Sequence, residues 1–165
     1  MTNANVVLRS AREADVPTIL ELIQALSEYE RMESECVATE DRLRATLFGP
    51  VRHAEVLLAE ETDGTVVGFA LFCGNYSTFL AQPGIWLEDL FVRPAYRGAG
   101  IGKQLLARLA QLAVGRGCGR VEWAVLDWNA PSIAFYESLG ARGMTEWTTF
   151  RLTGDAMKTL AGASE

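Results

Sequence analysis

The sequence predicts an α/β fold: one domain over residues 1–165, with a mixed central β-sheet flanked by α-helices. Three observations predict it. Apolar runs and apolar stripes follow one another in the order β-α-α-β-β-β-α-β-α-β. The second half carries a strand–helix–strand unit, whose crossover lays a helix on the sheet between two parallel strands. An earlier pair of strands is joined by Asp63-Gly64, a strong hairpin signal, so part of the sheet is antiparallel.

Val6-Val-Leu-Arg9 is a short strand. Asp15 stands where it can cap a helix, with Pro17 tolerated in the first turn. Val16, Ile19, Leu20, Ile23 and Leu26 then form an apolar stripe to about Ser27, a core-packing face. Residues 28–35 hold four glutamates in eight positions, read either as a solvated turn or as an acidic rim to an amine site. Thr39 starts a shorter helix that ends before Gly49-Pro50. Ala54–Ala59 and Thr65–Phe72 are β-rich runs on either side of the hairpin turn. Gly74–Pro83 reads as a loop carrying two aromatics, Tyr76 and Phe79. Trp86–Val92 is an apolar strand closed by Pro94, which has no N–H for a ladder. Leu105, Leu106, Leu109 and Leu112 share one helix face, and Gly115-Arg-Gly-Cys-Gly119 ends that helix. Arg120–Val125 is the next strand. Asn129 caps a helix with Pro131 in its first turn, stopped by Gly140. Thr145–Leu152 reads as a final strand and Asp155–Leu160 as a short terminal helix.

Composition narrows the function. The chain is 49% hydrophobic and 22% charged, with a net charge of −6, the balance of a folded globular chain. An acidic chain, pI about 4.9, lacks the basic face that nucleic-acid binding needs. It is compatible with steering a cationic substrate, and equally with solubility alone. No apolar run approaches a membrane span, and residues 1–9 lack the features of a signal peptide, so the expected location is cytoplasmic. Cys36, Cys73 and Cys118 are odd in number and widely spaced, and His53 is the single histidine. Neither pattern fits a disulfide frame or a metal site, so no metal is expected.

The organising stretch runs from Trp86 to Leu109: strand, glycine loop, helix. Gly98, Gly100 and Gly102 let the backbone turn and approach a ligand closely. Backbone N–H groups and the positive end of the helix dipole converge there, with Arg97 and Lys103 alongside, which makes a phosphate-binding arrangement. Neither the dinucleotide fingerprint nor the P-loop spacing is met. What fits is Arg97-x-x-Gly100-x-Gly102 after a strand ending in Val92-Arg93-Pro94.

Two further groups could do chemistry. Glu88 and Asp89 sit side by side in the apolar strand. Regular alternation puts Glu88 on the face of Trp86 and Asp89 on the other. Burial makes a carboxylate a better base, and a structural ion pair with an arginine is the competing reading for each. On the later helix Asn129, Ser132 and Tyr136, at i, i+3 and i+7, share a face. The competing reading there is an ordinary core tyrosine.

With these residues in place, the sequence resembles the GNAT superfamily of N-acetyltransferases. The loop matches that family's pyrophosphate loop, Q/R-x-x-G-x-G/A. Asn129, Ser132 and Tyr136 match its second cofactor motif. The resemblance is closest to the spermidine/spermine (diamine) and thialysine N-acetyltransferases. It is carried by Tyr29-Glu30-x-Met32-Glu33, Leu87-Glu-Asp-Leu-Phe-Val92, Tyr96-Arg-Gly-x-Gly-Ile-Gly102 and Trp128-Asn-x-Pro-Ser-Ile-x-Phe-Tyr136. It covers nearly the whole chain.

The resemblance implies direct transfer of an acetyl group from acetyl-CoA to a primary amine of a small molecule. It implies Glu88 as the acceptor of the amine proton, directly or through water, and Tyr136 as the acid near the leaving thiolate. It implies cofactor contacts from Leu90, Phe91 and Val92, from the loop residues Arg97, Gly98, Ala99, Gly100, Ile101, Gly102 and Lys103, and from Asn129, Ser132 and Tyr136. Tyr29, Glu30 and Glu88 are the implied amine-site residues, and a homodimer is the implied assembly. Tyr76–Ile85 and Arg142–Phe150 depart from the polyamine enzymes, which leaves the amine open. An amino acid or an aminoglycoside-type amine is the alternative substrate. A non-catalytic acyl-CoA-binding domain is the alternative class.

Overall fold

Two apolar stripes and five strands account for the larger part of the fold in a computed structural model, which describes residues 6–163. The chain falls into two compact units, Met1–Ala124 and Val125–Glu165.

The first unit holds strands β1 (Val7–Ser10), β2 (Glu55–Glu60), β3 (Val66–Ser77), β4 (Gln82–Val92) and β5 (Val121–Trp123) in one sheet, in chain order. The pairings are antiparallel from β1 to β4; β4 and β5 are parallel. Helices α1 (Val16–Glu30), α2 (Glu40–Leu47) and α3 (Ile101–Gly115) complete it. The mixed sheet flanked by helices is thus as expected.

Residues on one face of β2, β3 and β4 pack with α1 and α2: Leu58, Phe69 and Phe91 join Val16, Ile19, Leu22 and Leu43 in one buried cluster. Helix α3 packs against β2, β3 and β4 and buries Ile101, Leu105 and Leu109. Each such buried leucine or isoleucine contributes about 1.5–3 kcal/mol. Thr39 caps α2 as expected, its hydroxyl accepting from Arg42 N at 3.3 Å.

Several local expectations are corrected. The Asp15 carboxylate does not cap α1; it accepts from Arg12 N at 2.7 Å and pairs with Arg9. Helix α1 runs to Glu30, past Ser27, and ends at Arg31 in the left-handed region, φ 62°. Gly74–Pro83 is mostly strand: Gly74, Asn75 and Tyr76 pair with Ile85, Gly84 and Pro83, leaving only residues 78–81 as the turn. A facing strand supplied the hydrogen bonds that local turn propensity could not reveal. Tyr76 and Phe79 are exposed.

The second unit contains α4 (Ala130–Ser138) and α5 (Gly154–Gly162). The strand expected at Thr145–Leu152 does not form, although its residues are β-prone. Strand structure requires a ladder partner, and propensity alone does not make one. Trp147 and Phe150 in this segment are exposed.

Candidate active site

Strand β4 carries the decisive irregularity. Leu71 pairs with Asp89 and Phe72 with Leu87, so Glu88 is an extra residue, a β-bulge. Paired residues share a face, and faces alternate along β3. Leu87 therefore lies on the Phe72 face, whereas Phe91 lies on the Phe69 face with α1 and α2. In a regular strand residues 87 and 91 would share a face. The bulge lets one strand feed both cores.

The same shift moves Asp89. Trp86 pairs with Cys73 and Asp89 with Leu71, two positions apart on β3, so Trp86 and Asp89 share a face. The expectation that Asp89 lies opposite Trp86 is corrected, because it assumed an unbroken alternation. Glu88 stays with Trp86 as expected: the indole Nε1–H donates to Glu88 Oε2 at 2.7 Å. Both carboxylates and the indole thus gather at one place.

The electrostatics follow from this crowding. Asp89 is half-buried, and its carboxyl is pushed up to about 7, first by loss of water and then by the negative charges of Glu88 and Glu30. Burial also raises Glu30, the last residue of α1. The Cys73 thiol is raised by burial and by the Glu88 charge. Like charges at close range disfavour joint ionisation. A bound ammonium would relieve all three carboxylates at once.

The glycine loop lies directly after β4. Gly98 and Gly100 have φ of 79° and 81°, values that glycine adopts without strain. Gly100 is the N-cap of α3 and supplies no side-chain cap, so the first N–H groups of a fifteen-residue helix stay available to an anion. A side chain at Gly98 would meet no atom within 4 Å, so the loop is open on that side. Lys103 is exposed in the first turn. This donor set suits a diphosphate.

Arg97 ties the loop to α1 and β4. Its guanidinium stacks on Tyr29 at 4.5 Å and lies 5.4 Å from the Phe91 ring centre. Its Nε donates to Val92 O at 2.9 Å. Tyr29 on α1 and Arg97 on the loop are therefore in contact. Phe91 is buried in the core, so only its backbone remains for a ligand. Strand β5 pairs with β4 only at Ile85–Leu87, so within Met1–Ala124 it leaves one edge of Leu90–Val92 uncovered.

Asn129, Ser132 and Tyr136 belong to the second unit. Asn129 caps α4, its Oδ1 accepting from Ser132 N at 3.3 Å. Ser132 and Tyr136, four apart, share a face of α4, and the Tyr136 ring lies 5.4 Å from Phe135. Among the described residues no group of three or more His, Cys, Asp or Glu is arranged to hold a metal ion, and no helix is long and apolar enough to cross a membrane.

The sequence profile of the acetyltransferase (GNAT) family matches residues 19–141. This chain belongs to the GNAT acetyltransferase family. It is 41% identical to a thialysine N-epsilon-acetyltransferase of Sus scrofa, over 96% of this chain and 99% of that one. It is 38% identical to the L-ornithine N5-acetyltransferase NATA1 of Arabidopsis thaliana, over 93% of this chain and 86% of that one. Among solved structures it resembles an integron cassette protein from the mobile metagenome of V. cholerae, with TM-score 0.79, 27% identity, and coverage of 94% and 97%. The chain is accordingly an acyltransferase. Sequence reasoning singled out the glycine loop and Glu88. It missed the placement of Asp89 beside Glu88 and the Trp86 hydrogen bond, for which the only signal was an acidic pair in an apolar strand.

Proposed function

We propose that this enzyme transfers the acetyl group of acetyl-CoA to the terminal primary amine of a lysine-like amino acid or a short diamine. The observation that carries the reading is the grouping of Glu30, Glu88 and Asp89 beside the glycine loop. The loop takes an anionic diphosphate, while the carboxylates take a cation. The named substrates of two relatives, thialysine and ornithine, are amino acids with a terminal amine, which supports the same choice.

An alkylammonium has a pKa near 10.4, so at neutral pH its nitrogen lone pair is blocked. Glu88 accepts the proton, directly or through water, and frees the amine to attack. Glu30 and Tyr29 line the amine side of the site. The open edge of β4 offers an N–H near Leu90 to the carbonyl oxygen that becomes negative during transfer. The Arg97–Lys103 loop holds the diphosphate end of the cofactor, which when bound supplies a reactive acetyl thioester; the match of Asn129 and Ser132 to the family's second cofactor motif supports a cofactor role for them. Tyr136 Oη gives a proton to the departing sulfur. Holding both reactants in one site makes the attack effectively unimolecular. The assembly is a homodimer, a reading supported by similarity along the whole chain. The compartment is the cytoplasm, a reading supported by three free thiols.

The test is a panel of amines with acetyl-CoA, read by thiol release. Thialysine, ornithine or a short diamine should release thiol well above the rate without amine. A panel that stays at background would overturn the reading in favour of a binding domain.

A further inference from the structure

We propose that Trp86 is the positioning residue of the reaction: its indole N–H holds Glu88 in the orientation that receives the amine proton. This inference rests on Glu88 being the proton acceptor.

The geometry comes from the bulge. An extra residue in a strand is left without a ladder partner, and its side chain is less constrained than its neighbours. Glu88 is that residue, and it is exposed. A glutamate there has three rotatable bonds and no packing to choose among their rotamers. Trp86 does choose. It is half-buried on the same face, and its backbone pairs with Cys73 of β3 on one side and Glu122 of β5 on the other. Its Nε1–H reaches Glu88 Oε2 at 2.7 Å. An indole has one donor and no acceptor, so the contact requires an oxygen lone pair on Glu88 and is strongest when that carboxylate is charged. One oxygen is held; the other is left for the amine or a water.

The charge argument follows. The ionisable groups around the pair are Glu30 and Tyr29 of α1, Cys73 of β3, Glu122 of β5 paired with Arg120 at 2.8 Å, and Arg97 stacked on Tyr29. The negative charge of Glu88 disfavours ionisation of its neighbour Asp89. Burial raises Asp89, and the negative charge of Glu88 raises it further. Burial thus sets Asp89 apart from its neighbour, and the indole contact orients Glu88.

Trp86→Phe removes the donor and keeps an aromatic ring. It should lower kcat about tenfold or more, leave acetyl-CoA affinity within twofold, and move the acid limb of the kcat/KM profile to higher pH. In a Glu88→Gln background it should add no further loss, because its effect passes through Glu88. Should the phenylalanine variant not fold, a benzothiophene isostere of tryptophan at position 86, lacking only the N–H, carries the same predictions. Wild-type kcat and an unmoved pH profile in either variant would overturn the proposal, as would an equal loss in the Glu88→Gln background. Glu88→Gln with normal turnover would instead overturn Glu88 as the acceptor, whatever Trp86→Phe does.

Discussion

At the scale of single residues, Asp89 is the most perturbed group of the site and has a pH signature of its own. In the folded chain it titrates at about 7, whereas an unfolded aspartate titrates near 4. Between those values the folded state holds a proton that the unfolded state has released. Stability therefore falls as pH rises through this window, by at most about 1.4 kcal/mol per pH unit. The contribution is fully present below pH 4 and lost above 7. Asp89→Asn removes the charge without changing the shape. Urea unfolding should show the variant gaining stability relative to the parent at pH 8 and much less at pH 5. An identical difference at both values would mean that Asp89 is ionised throughout. A ligand cation should oppose the same penalty, so a bound diamine should flatten the pH dependence of the parent protein.

At the scale of elements, the loop between β4 and α3 depends on backbone conformation more than on side chains. Gly100 sits at φ 81° as the N-cap of α3, so a β-branched residue there strains the turn that aims the helix N–H groups. Gly100→Val should weaken acetyl-CoA binding at least tenfold in calorimetry, while circular dichroism shows the helices retained. Unaltered affinity in the folded variant would remove the loop from the cofactor site. Arg97 bears on the same element differently: stacked on Tyr29 and bonded to Val92 O, it braces the loop against α1 and β4. The bulge is the second decisive element. Without it, a strand whose Leu87 and Phe91 serve opposite faces could not pack both.

At the scale of the whole molecule, the proposed dimer is the property most open to a direct check. Sedimentation at micromolar concentration should give twice the 18.0 kDa mass of one chain. A monomer at that concentration would overturn it.

Local chemistry made much of this protein readable from its sequence. Asp63-Gly64 announced a hairpin, 3.6-residue periodicity announced α1 and α3, and Gly98–Gly102 announced a glycine turn between strand and helix, because each signal lies within one turn or one period of chain. The family was legible for the same reason: its motifs are short and their spacing is covalent. Tertiary structure decided what depends on a partner distant in sequence. Gly74–Ser77 became strand because Gln82–Ile85 came to face it, and Thr145–Leu152 did not because a strand needs a ladder. The face on which Asp89 lies was decided by a bulge, a mismatch between two strands that neither strand's own sequence records. So were the Trp86–Glu88 hydrogen bond and the clustering of Glu30 with Asp89, on which the proposed amine site rests.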